Sequence, residues 1–141
     1  MVRVVFDTVV FVRGLLNYRS RWARLLFESS PSYRLFVSQP ILVEILEVLQ
    51  RPEITSRFRT VADRDLRRVL EILSQAEVVE PPAIAPVSRD VKDDKFLAAA
   101  VAAQAEYLVS EDRDLLDLKA YQGIPIVDAE TFLRMLGDPT L

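Results

Sequence analysis

The chain has 141 residues, half of them hydrophobic, and a net charge of −3, enough for one domain with its own core over 1–141 and too little for two. It contains neither cysteine nor histidine, which excludes disulfide staples, zinc fingers, thiol nucleophiles and imidazole bases. Oxygen ligands remain, and these suit hard cations such as magnesium or manganese.

Arg3-Val4-Val5-Phe6 reads as a buried first strand. Its apolar run is short and ends in the charge of Asp7, unlike a signal peptide. No run of roughly eighteen uncharged apolar residues occurs anywhere, so no membrane span is expected and a cytoplasmic location is. Trp22, Leu25 and Leu26 recur at helical spacing, and Leu35-Phe36-Val37 reads as a second strand. Ser38 caps a helix that begins near Pro40 and carries Ile41, Ile45, Val48 and Leu49 on one stripe. A second helix, near Asp63–Ala76, carries Leu66, Val69, Leu70 and Leu73. Val78-Val79 is a third strand, followed by an extended connector from Glu80 to Pro86. Phe96, Leu97, Ala100 and Val101 mark the next helix. Strands at Tyr107-Leu108-Val109 and Ile124-Pro125-Ile126-Val127 follow, then a last helix capped by Asp128, carrying Phe132, Met135 and Leu136 and closed by Gly137. Strands alternating with helices, without an Asn-Gly or Asp-Gly hairpin signal, predict an α/β fold: a parallel five-stranded sheet sandwiched between helices.

Charge is unevenly spread. From Thr8 to Arg68, eleven arginines and no lysine stand against six acids, a net of +5; elsewhere seven basic residues stand against fifteen acids, a net of −8. A basic half beside an acidic half suits a polyanion partner and a cation site, although solvated surface charge produces the same count. The acids fall where an open parallel sheet builds sites, at the carboxyl ends of its strands. Asp7 follows the first strand, and Asp112 and Asp114 follow Tyr107–Val109. Asp93 and Asp94 open the helix leading into that strand. Asp7 alone reads equally well as a helix cap, and the later acids alone read better as caps, because an Asp-rich first turn also complements the helix dipole. Glu44 is more telling: it sits at the margin of the Ile41–Ile45–Val48–Leu49 stripe, where an acid needs a metal or an arginine to offset desolvation, whereas Glu47 lies further round and reads as solvated. Asp7, Glu44, Asp94 and Asp112 together form a set able to bind one or two divalent cations, with Asp114 close by and the choice between Asp93 and Asp94 open.

The same residues resemble a known family. Val4-Val5-Phe6-Asp7-Thr8-Val9-Val10 resembles the opening of the PIN domain, a strand ending in Asp-Thr-Asn before apolar residues. Ser38-Gln39-Pro40-Ile41-Leu42-Val43-Glu44-Ile45-Leu46 resembles its second acidic motif, and Asp94-Lys95-Phe96-Leu97-Ala98-Ala99-Ala100 its third. Leu108-Val109-Ser110-Glu111-Asp112-Arg113-Asp114-Leu115 resembles the fourth, a Thr-x-Asp-x-Asp pattern in which Ser110 keeps the hydroxyl. Four motifs in order span nearly the whole chain, closest in flavour to VapC-type toxins of toxin–antitoxin pairs. The resemblance implies a magnesium- or manganese-dependent endoribonuclease with Asp7, Glu44, Asp94 and Asp112 as catalytic metal ligands and Asp114 as a further one. It also implies frequent homodimers and a cognate antitoxin.

Candidates to flank the acidic pocket and hold the RNA are Arg13 and Arg51 first, and also Arg19, Arg21, Arg24, Arg57, Arg59, Arg64, Arg67 and Arg68. The departure from the family pattern is Val9, which replaces an amide with methyl groups beside the carboxylates and predicts weaker metal binding or a silent, RNA- or protein-binding domain. Val9 also excludes an aspartyl-phosphate phosphatase, which needs a second Asp there as general acid. A receiver domain lacks its acidic pair before the strand-end Asp and its later lysine.

Overall fold

The computed structural model describes residues 1–17, 19–58, 63–88 and 90–137. Its centre is β1, Val2–Phe6, in which Val4, Val5 and Phe6 are all buried; a strand covered on both faces carries a continuous apolar run rather than an alternating one. The chain continues through α1 (Thr8–Leu16), α2 (Arg21–Phe27), a 3-10 turn, β2 (Tyr33–Val37), α3 (Gln39–Leu49), α4 (Pro52–Phe58) and α5 (Asp63–Gln75). β3 (Glu77–Val78), a 3-10 turn at Val91–Asp93, α6 (Asp94–Ala103), β4 (Tyr107–Val109), α7 (Arg113–Leu116), β5 (Ala120–Tyr121), β6 (Ile124–Val127) and α8 (Ala129–Met135) complete it.

The sheet has six strands in the order β3-β2-β1-β4-β6-β5, flanked by helices. All neighbours are parallel except β5 and β6. The expected five parallel strands are therefore present and a sixth is added. Its turn is Gln122-Gly123, with φ of 49° and 80°. Both central residues are left-handed, the backbone of a tight hairpin turn that matches strand twist. Glycine adopts it freely and glutamine does not, so the sequence carries only half the usual signal.

Two further departures have local causes. The insertion between β2 and β3 holds three helices among the described residues rather than two, α4 occupying Pro52–Phe58. Apolar periodicity marks no helix at α1, where only the cap reading of Asp7 points to one, because Thr8-Val9-Val10-Phe11-Val12 is rich in β-branched residues that favour strands. Tertiary burial overrides that preference. Asp7 caps the first turn by accepting from the Val10 amide, and Val10, Phe11, Gly14 and Leu15 form a buried face. α1 and α2 meet closely at Gly14, where a Cβ would lie 2.6 Å from Leu26 Cδ1 and 3.1 Å from the Trp22 carbonyl oxygen.

The caps at Ser38 and Asp128 stand as expected, accepting from the amides of Ile41 and Thr131. Small side chains bring α6 close to the sheet: Ala99, Ala100 and Ala103 are buried with Phe96 and Leu97. Phe6, Phe11, Tyr33 and Phe132 form an aromatic cluster in the core, with contacting ring centroids 5.2–6.1 Å apart. For the site, the sheet order matters most. Growth runs from β1 through β2 to β3 on one side and from β4 to β6 on the other. A crevice therefore opens at the carboxyl ends of β1 and β4, where ligands enter such sheets.

Candidate metal centre

Asp7 leaves β1 into this crevice with only 2% of its surface exposed. The Asp7 amide donates to the Val109 carbonyl at 3.0 Å, tying the ends of β1 and β4 together. Its Oδ1 accepts from the Val10 amide at 3.2 Å. Oδ2 accepts from the Ser110 hydroxyl and from the Glu111 amide, the latter at 3.1 Å. Burial pushes the carboxyl up to about 6, against the opposing hydrogen bonds from Ser110, Glu111 and Val10.

Ser110, fully buried, works in both directions. Its hydroxyl oxygen also accepts from the Asp112 amide at 2.9 Å. Asp112 in turn caps α7, its Oδ1 accepting from the Asp114 amide at 2.8 Å. One hydrogen-bonded chain thus runs from the end of β1 to the two acids after β4. The hydroxyl at Ser110 is what makes that chain continuous.

Asp93, Asp112 and Asp114 each bring an oxygen within 4.8 Å of the others, the one such acidic trio among the described residues. An octahedral magnesium ion spaces its ligand oxygens about 3–4 Å apart, within reach of a small side-chain rotation. Crowding is evident in Asp93, whose carboxyl rises to about 7. Burial is the largest cause, followed by the charge of Asp112, a hydrogen bond shared with Asp112, and the charges of Asp90 and Glu44. An all-oxygen, mutually repelling donor set at the mouth of a sheet crevice fits a hard divalent cation.

Glu44 faces the same cleft of about 340 Å³, whose walls also include Asp7, Val9, Arg13, Arg51, Asp93 and Asp112. Its position at the edge of the α3 stripe is half-buried, while Glu47 is exposed. What offsets its desolvation is a lysine: Lys95 Nζ lies 2.7 Å from Oε1. The Thr8 hydroxyl donates to Oε2. In the sequence a metal or an arginine suits this role, and neither Lys95 nor Thr8 is singled out. The signal was available, since Lys95 lies one residue from the acids that open α6.

Asp94 turns the other way. Buried, it accepts from the Val87 amide at 3.0 Å, the Ser88 amide at 2.9 Å and the Ser88 hydroxyl at 2.6 Å. Burial alone would raise its carboxyl, but the Ser88 hydroxyl and the Ser88 and Val87 amides outweigh it and hold the group below the usual range. The structure thus brings Asp7, Glu44, Asp93 and Asp112 to the cleft, with Asp114 beside them, and turns the Asp94 side chain away to Val87 and Ser88. Successive residues at a helix start point in different directions, so only one of the Asp93–Asp94 pair faces the cleft.

Glu111, unmarked in the sequence, joins two elements. Its Oε1 accepts from the Ala129 amide at 2.9 Å, satisfying a donor in the first turn of α8. Its Oε2 lies 3.9 Å from Arg13. Arg13 also stacks over Trp22 at 4.9 Å, leaving 47% of its side chain exposed at the cleft. Arg51, just past the end of α3, also lines the cleft. Three of the other arginines are engaged elsewhere: Arg21 pairs with Glu130 and Arg24 with Glu28, and Arg68 stacks on Phe27. Arg67 is exposed, Arg59 lies outside the described residues, and so do the side chains of Arg57 and Arg64.

A family model described as the PIN domain matches residues 3–114. Among solved structures the chain is similar to PAE2754 from Pyrobaculum aerophilum, with 20% identity, a TM-score of 0.57 and 96% of each chain covered. It is also similar to VapBC2 from Rickettsia felis bound to a DNA fragment from their promoter, with 13% identity, a TM-score of 0.55, and 88% of this chain and 96% of that one covered. At these identities the likeness is one of fold. No curated protein sequence matches significantly.

Proposed function

This chain belongs to the PIN-domain family, and on that footing we propose that it is a magnesium- or manganese-dependent endoribonuclease, the toxin of a toxin–antitoxin pair. PIN domains are generally metal-dependent nucleases. The observation that carries the reading is the convergence of Asp93, Asp112 and Asp114 within 4.8 Å at a cleft that Asp7 and Glu44 also line.

In this proposal Asp93, Asp112 and Asp114 hold the ion. Bound there, a divalent ion activates water and stabilises charge on the leaving oxygen of a phosphodiester. Asp7 orients the group through Ser110, and its Oδ1, accepting one bond, keeps capacity for a further partner. Glu44 completes the acidic wall, and Asp94 fixes the connector that sets the start of α6. Arg13 and Arg51 bind the phosphates either side of the scissile bond. The partners are RNA, a cognate antitoxin and a second copy of the chain, in the cytoplasm. No described helix is long and apolar enough to cross a membrane.

The test is cleavage of a mixed-sequence RNA. Wild type should cut with manganese, stop in chelator, and lose activity with Asp112→Asn. Cutting that survives chelation would sink the proposal. A second reading, an RNA- or protein-binding domain with weak or no catalysis, is favoured by Val9, which lines the cleft with methyl groups. Manganese-dependent cleavage by the wild type separates the two, and Val9→Asn measures what the missing amide costs. It should raise manganese affinity and cleavage by roughly 10-fold if an amide there steadies the ligands; no gain in either would mean that Val9 limits neither.

A further inference from the structure

We infer that Lys95 takes the place of a second cation in the cleft, so that the site holds a single divalent ion at Asp93, Asp112 and Asp114. The inference rests on the metal-site reading above and goes beyond it by fixing the number of ions and the residue that sets it.

Five carboxylates gather at this edge of the sheet: Asp7 is held by Ser110 and the Glu111 and Val10 amides, and the other four divide into two parts. On one side stand the three acids whose oxygens lie within 4.8 Å of one another. On the other stands Glu44, with both oxygens already engaged. Lys95 Nζ holds Oε1 at 2.7 Å and the Thr8 hydroxyl donates to Oε2. In a two-ion nuclease site the ions sit about 3.5–4 Å apart and share such a wall of acids. Here the second position would need Glu44, and a second ion could reach it only by displacing an ammonium and a hydroxyl.

The ammonium is held in place by its neighbours. Lys95 occupies the first turn of α6 directly after Asp94, whose three hydrogen bonds to Val87 and Ser88 pin that turn. The pair is only 23% and 26% exposed, so water screens it weakly. Its single charge offsets Glu44 and repels a divalent ion arriving there. A lysine is a compact point charge on a flexible stem, suited to standing in for a cation without fixed coordination geometry.

The experiment is manganese titration of the full chain by calorimetry, with electron paramagnetic resonance on the loaded samples to detect spin coupling between neighbouring ions. Wild type should bind one ion per chain without coupling. Lys95→Met, which keeps the length and removes the charge, should bind two and show coupling. Lys95→Arg should stay at one. Lys95→Gln serves as a second neutral variant should Lys95→Met fail to fold, and wild-type stoichiometry alone is decisive in one direction. Two coupled ions in wild type, or one ion in a folded neutral variant, would overturn the role of Lys95 while leaving the metal site standing. No ion at all in wild type would overturn both.

Discussion

At the scale of single residues, the site is built by neighbours as much as by acids. The sequence marked Asp7, Glu44, Asp112 and Asp114 because their positions at strand ends and at a helix stripe are legible from periodicity. It could not choose between Asp93 and Asp94, because that choice depends on the phase of a 3-10 turn running into α6. Nor did it show what neutralises Glu44, since Lys95 is 51 residues away and meets it only through folding. Asp7 illustrates how burial becomes measurable. Its carboxyl is raised from 3.8 to about 6, so the folded, metal-free protein binds a proton there more tightly than the unfolded chain. That contribution to stability is complete below 3.8 and is lost as pH rises through about 6. Removing the charge with Asp7→Asn should therefore shift relative stability towards the variant between pH 4 and pH 7, by up to about 3 kcal/mol. Thermal melts of both proteins in chelator across that range provide the check. A melting difference that stays constant with pH would show that Asp7 does not carry the buried charge.

At the scale of elements, legibility follows how local the cause is. The strands at Tyr107–Val109 and Ile124–Val127 and the caps at Ser38 and Asp128 were legible because short-range chemistry specifies them. Helix α1 was not, because its β-branched sequence turns helical only once Asp7 caps it and its Val10, Phe11 and Leu15 face is covered. The hairpin between β5 and β6 was hidden for a different reason: Gln122 takes a left-handed conformation at φ 49°, a cost that tertiary pairing with β6 outweighs. This makes the turn a clean place to measure backbone conformation. A Cβ at Gly123 would meet no atom within 4 Å, so Gly123→Ala should destabilise through its φ of 80° alone, by about 1 kcal/mol. Gln122→Asn should move in the opposite direction, by about 0.5 kcal/mol, since asparagine tolerates this region better. Denaturant unfolding measures both, and a neutral Gly123→Ala would contradict the assigned turn.

At the scale of the whole molecule, the division of charge along the sequence becomes a spatial one only in part. The acids converge on the crevice as strand order requires, and of the arginines marked in the sequence Arg13 and Arg51 reach its walls. Several others serve local pairs, so a count along the chain overstated the phosphate-binding surface. Binding of a single-stranded RNA in chelator should still weaken with salt, and Arg51→Ala should reduce the log–log slope by about 0.7, the share of one phosphate contact. Fluorescence anisotropy over a salt series measures it, and an unchanged slope would remove Arg51 from the interface. The central claim, that the crevice between β1 and β4 is a metal site, is tested most directly by anomalous diffraction from crystals soaked in manganese. One anomalous peak per chain is expected, bounded by carboxylate oxygens of Asp93, Asp112 and Asp114 at about 2.0–2.2 Å, close to the distances magnesium takes. An empty crevice at high manganese, or a peak held by other residues, would contradict it.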